Sequence, residues 1–279
     1  MSWATNHDAS LEKLQQVQGS LMVGLIMVPR TDFLTCGPSE TAAKVKKANK
    51  LNFSYIPVVD QKKRVVGLYN AERWFGDDAP NHPVESDYLP LSEDIVIGAD
   101  ASIFDFIRSA DEVSTKLVVS GDGVAGLVSL SDVQQLPVRA ALFALVTSLE
   151  MAMAMVIESR WPNAEEWMEL LTENRRGKLK DQIKIAKQRD GFVSEIAFTQ
   201  FGDKSTLLHK GGLVEGTRTA HEARFNAIQD LRNDLAHANR YADTPEAAVT
   251  VCRVVRDIYE IKDQLLRAGP VIEKFKTAT

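Results

Sequence analysis

An internal repeat in the first half of the chain constrains the fold more than any other feature of the sequence. Three segments of one copy each return about sixty residues later in a second copy. The matching pairs are DFLTC and DIVIG, which start at 32 and 94, SYIPVVD and STKLVVS, which start at 54 and 114, and VVGLYNAERWF and VAGLVSLSDVQ, which start at 65 and 124. One small unit of this kind leaves a sheet face exposed, and a second copy can cover it. The repeat therefore predicts two similar units packed against each other.

Each copy has the same predicted order of elements. A short apolar strand leads into a helix, SETAAKVKKANKLN in the first copy and DASIFDFIRSADEV in the second, with Ser39 and Asp100 as the predicted N-caps. A β-branched strand follows, then a polar turn, a second strand that ends in Gly-Leu, and a short helix. The copies are therefore predicted to be two β-α-β-β-α units.

The repeat resembles a tandem pair of cystathionine-β-synthase-type (CBS) domains, and the resemblance covers residues 20–136. It implies a flat module with a cleft between its two sheets, which binds an adenosine-type ligand such as AMP, ADP, ATP or S-adenosylmethionine. Some members of the family have lost the ligand. An adenine nucleotide is thus the expected regulatory ligand, and a module without a ligand is the alternative.

The most specific part of this resemblance is a Gly-hydrophobic-hydrophobic-Ser/Thr-x-x-Asp signature at the end of the last strand. The second copy keeps it, from Gly126 through Ser129 to Asp132. The resemblance implies that Ser129 approaches a phosphate and that the Asp132 carboxylate accepts hydrogen bonds from the ribose hydroxyls. It also implies that Thr115 faces the same cleft. Alternatively, Ser129 and Asp132 only cap the short helix that follows.

The first copy departs from this signature, because Arg73 stands where the carboxylate belongs. Arg73 is expected either to form a salt bridge elsewhere or to contact a phosphate. At most one well-formed nucleoside site is therefore predicted.

After Pro137 the hydrophobic period changes to that of helices and keeps it to the end of the chain. An apolar stripe runs from Leu142 to Val156, Asn163 is the predicted cap of the next helix, and Pro245 opens the last one. Short connections between such helices favour an antiparallel bundle. The predicted fold class is α+β with two domains, arranged as an N-terminal extension (1–19), the tandem β-α-β-β-α pair (20–136) and an all-α antiparallel helical bundle (137–279).

The segment DLRNDLAHANRY carries three residues that could act together, namely Arg232, Asn233 and His237. Asn233 and His237 are four residues apart, so they share one face of a helix. The opposite side presents an apolar stripe, from Phe225 to Leu235, to the core. The alternative is an ordinary solvated face, on which the histidine interacts with the helix dipole.

Residues 138–268 resemble the HEPN superfamily, because they contain an Arg that is followed directly by a polar residue and, after four intervening residues, by a His. The resemblance implies a homodimeric, metal-independent endoribonuclease whose two motifs meet in a composite cleft at the dimer interface. It makes His237 a general acid or base, Arg232 the group that stabilises transition-state charge, and Asn233 a group that orients the imidazole or binds phosphate. The 2′-hydroxyl of the RNA is the nucleophile, so catalysis needs no cofactor. Some HEPN members are inactive and serve as dimerisation or interaction modules.

The acidic average of the chain limits where RNA could bind. The formal net charge is -5, so an RNA contact requires a local basic patch. The run NRRGKLKDQIKIAKQR supplies one, with Lys180, Lys184 and Lys187 on one helical face. A solubilising surface is the alternative for this run.

Several features predict a cytoplasmic protein without membrane contact. The 2 cysteines have no metal-type spacing, which favours a reducing compartment, and the polar N-terminus is unlike a secretory signal. The apolar run 140–157 contains Glu150, and a central carboxylate is costly in a membrane helix. This run is predicted to be a buried bundle helix, on which Glu150 either contacts the Arg-Asn-His motif or lies on the surface. His209 and His221 are predicted to be loop or surface histidines.

Together these features predict a nucleotide-regulated, metal-independent endoribonuclease that acts on RNA as a homodimer. The prediction depends on a sensor-like module joined to a catalytic-like one by the short linker QQLPV. The alternative is a non-catalytic scaffold that senses an adenine nucleotide, or a dimerisation or interaction module.

Overall fold

The computed structural model describes residues 13, 14, 16, 19–121, 123–189 and 194–268 of the 279-residue chain. Two compact units make up the protein, a strand unit formed by Met22–Gln135 and a helical unit formed by Leu136–Thr279 together with Met1–Leu21. The strand unit mixes strands with short helices, whereas the helical unit is built from longer helices. The predicted α+β class with a helical C-terminal part is confirmed.

Seven strands lie in the described part of the strand unit. They are Val28–Pro29 (β1), Tyr55–Val59 (β2), Val65–Asn70 (β3), Leu89–Pro90 (β4), Val96–Gly98 (β5), Thr115–Ser120 (β6) and Gly123–Ser129 (β7). They form a four-stranded sheet in the order β1-β7-β6-β5 and a three-stranded sheet in the order β2-β3-β4. The β5–β6 pair is parallel and the other pairs are antiparallel. Each sheet is therefore built around the hairpin of one copy of the repeat.

The helix of each copy, Ala42–Ala48 (α1) and Ile103–Ile107 (α2), begins later than predicted. Thr41 caps α1 and Ser102 caps α2, the latter in a capping box with Asp105. The predicted caps Ser39 and Asp100 are wrong. In both copies a turn closed by a backbone hydrogen bond comes first, from Glu40 to Gly37 and from Ala101 to Gly98, each at 3.1 Å. These turns occupy the residues that the propensities assigned to the helix start.

The glycine before the leucine at the end of each hairpin has the same packing role in both copies. Gly67 pairs with Pro90 of β4, and Gly126 pairs with Pro29 of β1. A Cβ atom at Gly67 would lie 2.1 Å from the carbonyl oxygen of Leu89, and one at Gly126 would lie 2.8 Å from the carbonyl oxygen of Val28. The neighbouring strand therefore requires glycine at both positions, which explains why the repeat keeps it.

The two copies share one hydrophobic core between their sheets. Val65 and Leu68 of β3 pack with Ile95 and with Leu117 of β6, and Leu68 and Leu117 are completely buried. Full burial of an aliphatic side chain is worth about 1.5–3 kcal/mol. The apolar contact between the sheets is thus a main source of stability for the strand unit.

Six α-helices of the helical unit are described from end to end. They are Leu136–Arg160 (α3), Ala164–Met168 (α4), Glu173–Gln188 (α5), Phe201–Lys210 (α6), Arg218–Ala236 (α7) and Pro245–Ala268 (α8). Asn163 caps α4, as predicted, by accepting a hydrogen bond from the backbone N–H of Glu165 at 3.1 Å. Pro245 begins α8, as predicted.

Helix α3 is the core helix of this unit. Among the described helices, α3 alone is long and apolar enough to cross a membrane, with a mean hydropathy of 2.0, but 56% of that apolar window is buried in the protein. It contacts α6, α7 and α8, and Leu142, Leu145 and Leu149 are completely buried. The prediction of a buried bundle helix over 140–157 is confirmed.

His221 is a buried residue of α7, and the prediction of loop or surface histidines is wrong. Only 6% of His221 is exposed, and its ring stacks on Phe225 with 4.2 Å between the centroids. Its Nε2 lies 3.0 Å from the carbonyl oxygen and 2.9 Å from Oγ of Ser205. His209 lies on α6, with its ring centroid 4.9 Å from that of His221. His221 continues the apolar stripe of α7, which is why it faces inward.

Acid should destabilise the helical unit through His221. Burial lowers the pKa of His221 below its ordinary value, so the unfolded chain takes up the proton first as pH falls below about 6.5. The neutral ring contributes fully to the free energy of unfolding above that pH. Below it, this contribution is lost at up to about 1.4 kcal/mol per pH unit. Urea unfolding measures this change. Between pH 7.5 and 5.5 the free energy of unfolding should fall by about 1 kcal/mol more in wild type than in His221→Gln.

The control for this measurement is His237→Gln, which removes an exposed histidine next to the same helix. Equal losses of stability in wild type and His221→Gln between the two pH values would contradict a role for the buried ring.

Candidate functional site

The Arg-Asn-His motif lies at the C-terminal end of α7. Arg232 and Asn233 are half-buried, and His237 is exposed directly after the last helical residue. His237 is the C-cap, and its backbone N–H donates to the carbonyl oxygen of Asn233 at 3.0 Å. Within the part of the chain that the structure describes, no hydrogen bond joins these three side chains to one another. The motif is therefore partly accessible to solvent, and the catalytic roles stay predictions.

The opposite side of α7 packs against the core. Phe225, Ile228, Leu231 and Leu235 are all buried, with at most 6% of each exposed. This confirms the predicted apolar stripe. Because the stripe fixes the rotation of the helix, the face that carries the motif is turned away from the core.

Glu150 connects the motif to the middle of α3. Its Oε2 lies 3.4 Å from Nε of Arg232, and its Oε1 lies 3.1 Å from Nζ of Lys204. Lys204 of α6 is only 5% exposed and also donates to the carbonyl oxygen of Thr199 at 2.9 Å. Of the two alternatives for Glu150, contact with the motif is therefore correct. Lys204 is a partner that the sequence did not indicate.

Arg139, in the first turns of α3, forms hydrogen bonds with the backbone on both sides of His237. Its Nη1 donates to the carbonyl oxygens of Asp234 at 3.0 Å and Leu235 at 3.1 Å, and its Nη2 donates to the carbonyl oxygen of Asn239. The guanidinium also lies 4.8 Å from the ring centroid of Tyr241. Sequence reasoning missed this residue. The available signal was that Arg139 is the only charged residue between Leu136 and Glu150.

The basic run on α5 is largely neutralised by acidic partners. Lys180 lies 2.8 Å from Glu165, and Lys187 lies 3.0 Å from Glu195. Two further pairs join Arg175 to Asp203 and Arg176 to Glu169. Among the described contacts of its three predicted lysines, Lys184 alone has no carboxylate partner. This pairing favours a solubilising surface over an RNA-binding one.

The three predicted ligand residues of the second copy lie together at one end of the β6–β7 hairpin. Thr115 begins β6 and Ser129 ends β7, and the two are direct cross-strand partners. Asp132 follows in the 3-10 helix Leu130–Gln134. Thr115 is 5% exposed and Asp132 is 8% exposed. The structure thus brings a hydroxyl pair and a carboxylate to one place, and their role in binding stays a prediction.

Asp132 is held in a helix cap. Its Oδ2 accepts hydrogen bonds from the backbone N–H and the hydroxyl of Ser129 at 2.7 and 3.0 Å, and its Oδ1 accepts one from Nε2 of Gln135 at 2.8 Å. The same Gln135 amide donates to the carbonyl oxygen of Ile26 at 2.8 Å. Burial raises the pKa of Asp132 above its ordinary value. A carboxylate accepts about four hydrogen bonds, so a ligand hydroxyl could add to or replace those present.

In the first copy an ion pair occupies the corresponding place. Nη1 of Arg73 lies 2.7 Å from Oδ2 of Asp87, and Nε2 of His82 lies 3.3 Å from the same oxygen. Of the two alternatives for Arg73, the salt bridge is therefore the one observed. The guanidinium stands where the second copy has a buried carboxylate, so the two halves of the strand unit are chemically different.

Comparison with known families identifies the first copy. The family model of the CBS domain matches residues 25–72, which contain β1, α1, β2 and β3. Residues 25–72 are a CBS domain. The candidate ligand residues Thr115, Ser129 and Asp132 lie outside the match, in the copy that repeats the order of its strands.

Solved structures of CBS domains are similar to part of the chain. The CBS domain of a bacterial CNNM/CorC family Mg²⁺ transporter in complex with ATP is 19% identical, and the match covers 45% of this chain and 93% of that one with a TM-score of 0.36. CBSX2 in complex with AMP is 20% identical, covering 43% and 96% with a TM-score of 0.35. The CBS domains of a transcriptional regulator from Streptococcus pneumoniae are 20% identical, covering 40% and 95% with a TM-score of 0.34. No curated protein matches the chain.

Proposed function

We propose that the protein is a regulatory protein that binds one adenine nucleotide, AMP, ADP, ATP or a related compound, in its strand unit. The observation that carries this proposal is the cluster of Thr115, Ser129 and the buried Asp132 beside a CBS domain. CBS domains bind adenine nucleotides such as AMP and ATP. The buried carboxylate and the two hydroxyls are the groups that a nucleoside phosphate requires.

The chemistry of the cluster suits a ribose and a phosphate. A carboxylate accepts hydrogen bonds from both hydroxyls of a vicinal diol, as in other nucleotide sites. The hydroxyl of Ser129 lies 2.8 Å from Oγ of Ser131. The Ser131 hydroxyl can donate to a phosphate oxygen, and the Ser129 hydroxyl can do so when it releases its bond to Asp132. In the first copy the Arg73–Asp87 pair replaces this arrangement. We therefore expect a stoichiometry of one nucleotide per chain.

Substitution of Asp132 tests this proposal. Asp132→Asn keeps an acceptor for the cap but loses one of the two oxygens that a diol needs. We expect its dissociation constant for the best of AMP, ADP and ATP to rise at least about tenfold, since a hydrogen bond to a charged group is worth about 1.5–3 kcal/mol. Isothermal titration calorimetry of wild type and variant measures the change.

Asp105→Asn is the matched control, because Asp105 caps α2 in the same way that Asp132 caps its own helix. This variant should bind the nucleotide as wild type does. The absence of heat with all three nucleotides, or equal affinity in wild type and Asp132→Asn, would refute the proposed nucleotide site.

A second candidate function is metal-independent cleavage of RNA by the helical unit of a homodimer. What favours it is that Arg232 and His237 both reach solvent at one end of α7, with the Arg232 guanidinium held by Glu150. His237 would act as general acid or base, Arg232 would stabilise the phosphorane-like transition state, and Asn233 would orient the imidazole or bind phosphate. The attacking group would be the 2′-hydroxyl of the RNA.

Regulation would link the two functions. Nucleotide binding can change RNA cleavage only if the ligand binds one conformational state of the protein more tightly than another. Cleavage of labelled single-stranded RNA in the presence of a chelator, with and without nucleotide, distinguishes a regulated ribonuclease from a non-catalytic nucleotide-sensing scaffold. A scaffold would bind the nucleotide and leave the RNA intact.

A further inference from the structure

Two charged side chains of α3 hold the two ends of the Arg-Asn-His motif. Arg139 and Glu150 are eleven residues apart, which is about three turns of an α-helix, so they lie on the same face of α3. Arg139 bonds to the segment that contains His237, and Glu150 contacts Arg232. One face of α3 therefore bears on both reactive side chains of the candidate ribonuclease site.

The bonds of Arg139 lie on both sides of His237. The guanidinium binds the carbonyl oxygens of Asp234 and Leu235 before it and that of Asn239 after it. Ala238, directly after His237, has a φ of 55°, which is unfavourable for a residue with a Cβ atom. Such a conformation persists only where surrounding contacts hold it. The backbone N–H of Asn239 closes this turn by donating to the carbonyl oxygen of Asp234 at 2.9 Å. Arg139 adds bonds on both sides of the turn and so helps to fix the backbone that carries the imidazole.

The ring of Tyr241 makes a further contact with the Arg139 guanidinium. Tyr241 is 7% exposed, and the guanidinium lies 4.8 Å from its ring centroid. A planar guanidinium can stack on a ring and donate in its own plane at the same time, whereas an ammonium group cannot. The site therefore calls for arginine and not merely for a positive charge.

Glu150 fixes the other reactive side chain. The buried Lys204 holds one oxygen of its carboxylate at 3.1 Å, so the second oxygen is presented to Nε of Arg232 at 3.4 Å. Nε is the Arg232 atom that forms the ion pair with Glu150, so the two Nη atoms stay available for phosphate oxygens. The half-buried carboxylate thus sets the direction of a guanidinium whose other end reaches solvent.

We propose that Arg139 and Glu150 are positioning residues for a phosphodiester substrate. Arg139 sets the place of the His237 imidazole, and Glu150 sets the direction of the Arg232 guanidinium. The inference rests on the proposed ribonuclease function, and neither residue contacts the RNA. Because proton transfer and charge stabilisation depend on geometry, loss of either residue slows the cleavage step more than it weakens RNA binding.

The test uses full-length Arg139→Lys, Arg139→Gln and Glu150→Gln. Hydrogen–deuterium exchange follows the peptide that spans 235–241, single-turnover kinetics with chelator gives the cleavage rate, and fluorescence anisotropy gives the dissociation constant for a single-stranded RNA. We expect faster exchange of this peptide in both Arg139 variants. In all three variants the cleavage rate should fall about 10- to 100-fold while the dissociation constant changes less than about threefold.

Arg218→Gln is the matched control, because Arg218 lies in the first turn of the same helix, is 79% exposed and pairs with Glu222. It should leave both the exchange and the cleavage rate unchanged. Exchange and cleavage like those of wild type in Arg139→Lys and Arg139→Gln would overturn the role of Arg139. A cleavage rate like that of wild type in Glu150→Gln would overturn the role of Glu150.

The outcome separates this inference from the proposed function. If wild type does not cut RNA, the ribonuclease proposal fails, and unchanged exchange in the Arg139 variants would then refute the positioning role as well. If wild type cuts RNA and the variants lose affinity and rate equally, Arg139 and Glu150 belong to RNA binding and the positioning role is refuted.

Discussion

Lys204→Met should lower the free energy of unfolding by about 3 kcal/mol, the lower end of the range for breaking a buried ion pair. Lys204 is 5% exposed, and its ammonium group donates to Glu150 and to the carbonyl oxygen of Thr199. Methionine fills a similar volume but leaves the Thr199 oxygen unpaired and the carboxylate with Arg232 alone. Because Glu150 is partly exposed, water compensates for some of the loss.

Urea unfolding followed by circular dichroism at 222 nm measures this change, since most of the helix lies in the helical unit. Lys180→Met is the matched control, because Lys180 also pairs with a glutamate, at 2.8 Å, but both side chains are about half exposed. Its loss should be below about 1 kcal/mol. Similar losses in the two variants would show that the burial of Lys204 has no special energetic weight.

The parts of the fold that follow from hydrophobic period were predictable. The apolar stripe of α7 from Phe225 to Leu235 is buried as the spacing requires. The glycines of the repeat were visible as a pattern, but their reason was not. Only the register of β3 with β4 and of β7 with β1 shows that a Cβ atom at Gly67 or Gly126 would collide with the next strand.

Contacts between distant segments were beyond the reach of the sequence. Arg139 bonds to carbonyl oxygens about a hundred residues away, and backbone carbonyls leave no mark in a sequence because every residue has one. The predictions of the helix caps were wrong for a local reason, because the turns at Gly37 and Gly98 make both helices begin two residues later. The prediction that His221 lies in a loop or at the surface was wrong, because a neutral imidazole that contacts a carbonyl oxygen can pack in the core as its neighbour Phe225 does.

Neither the sequence nor the structure distinguishes a helix cap from a ligand site at Ser129 and Asp132, and a binding experiment is needed to do so. The cap interpretation and the ligand interpretation of Ser129 and Asp132 use the same atoms, and the capping box is present. The two interpretations are compatible, because a capped carboxylate at the end of a strand is already fixed for a ribose. The asymmetry between Asp132 and Arg73 confines the candidate nucleotide site to the second copy.

Substitution of His237 should have the largest effect on activity. We expect His237→Ala to cut single-stranded RNA about 100- to 10,000-fold more slowly than wild type, which is the usual contribution of a general acid or base. His237 is exposed and its backbone N–H, not its side chain, makes the cap to Asn233, so the fold should tolerate alanine. Single-turnover kinetics on end-labelled RNA with chelator present measures the rate. The products of wild type should carry a 2′,3′-cyclic phosphate and a 5′-hydroxyl.

His82→Ala is the control, because His82 is a half-exposed histidine of the strand unit that lies beside the Arg73–Asp87 pair and outside the motif. It should leave the cleavage rate within about twofold of wild type, whereas a general acid–base residue contributes at least about 100-fold. Light scattering on both variants checks that the oligomeric state is unchanged. The resemblance to the HEPN superfamily implies that a second subunit completes the cleft, and a monomer that cuts RNA at full rate would contradict the composite site. Equal rates in wild type and His237→Ala would leave the nucleotide-binding scaffold as the function of this protein.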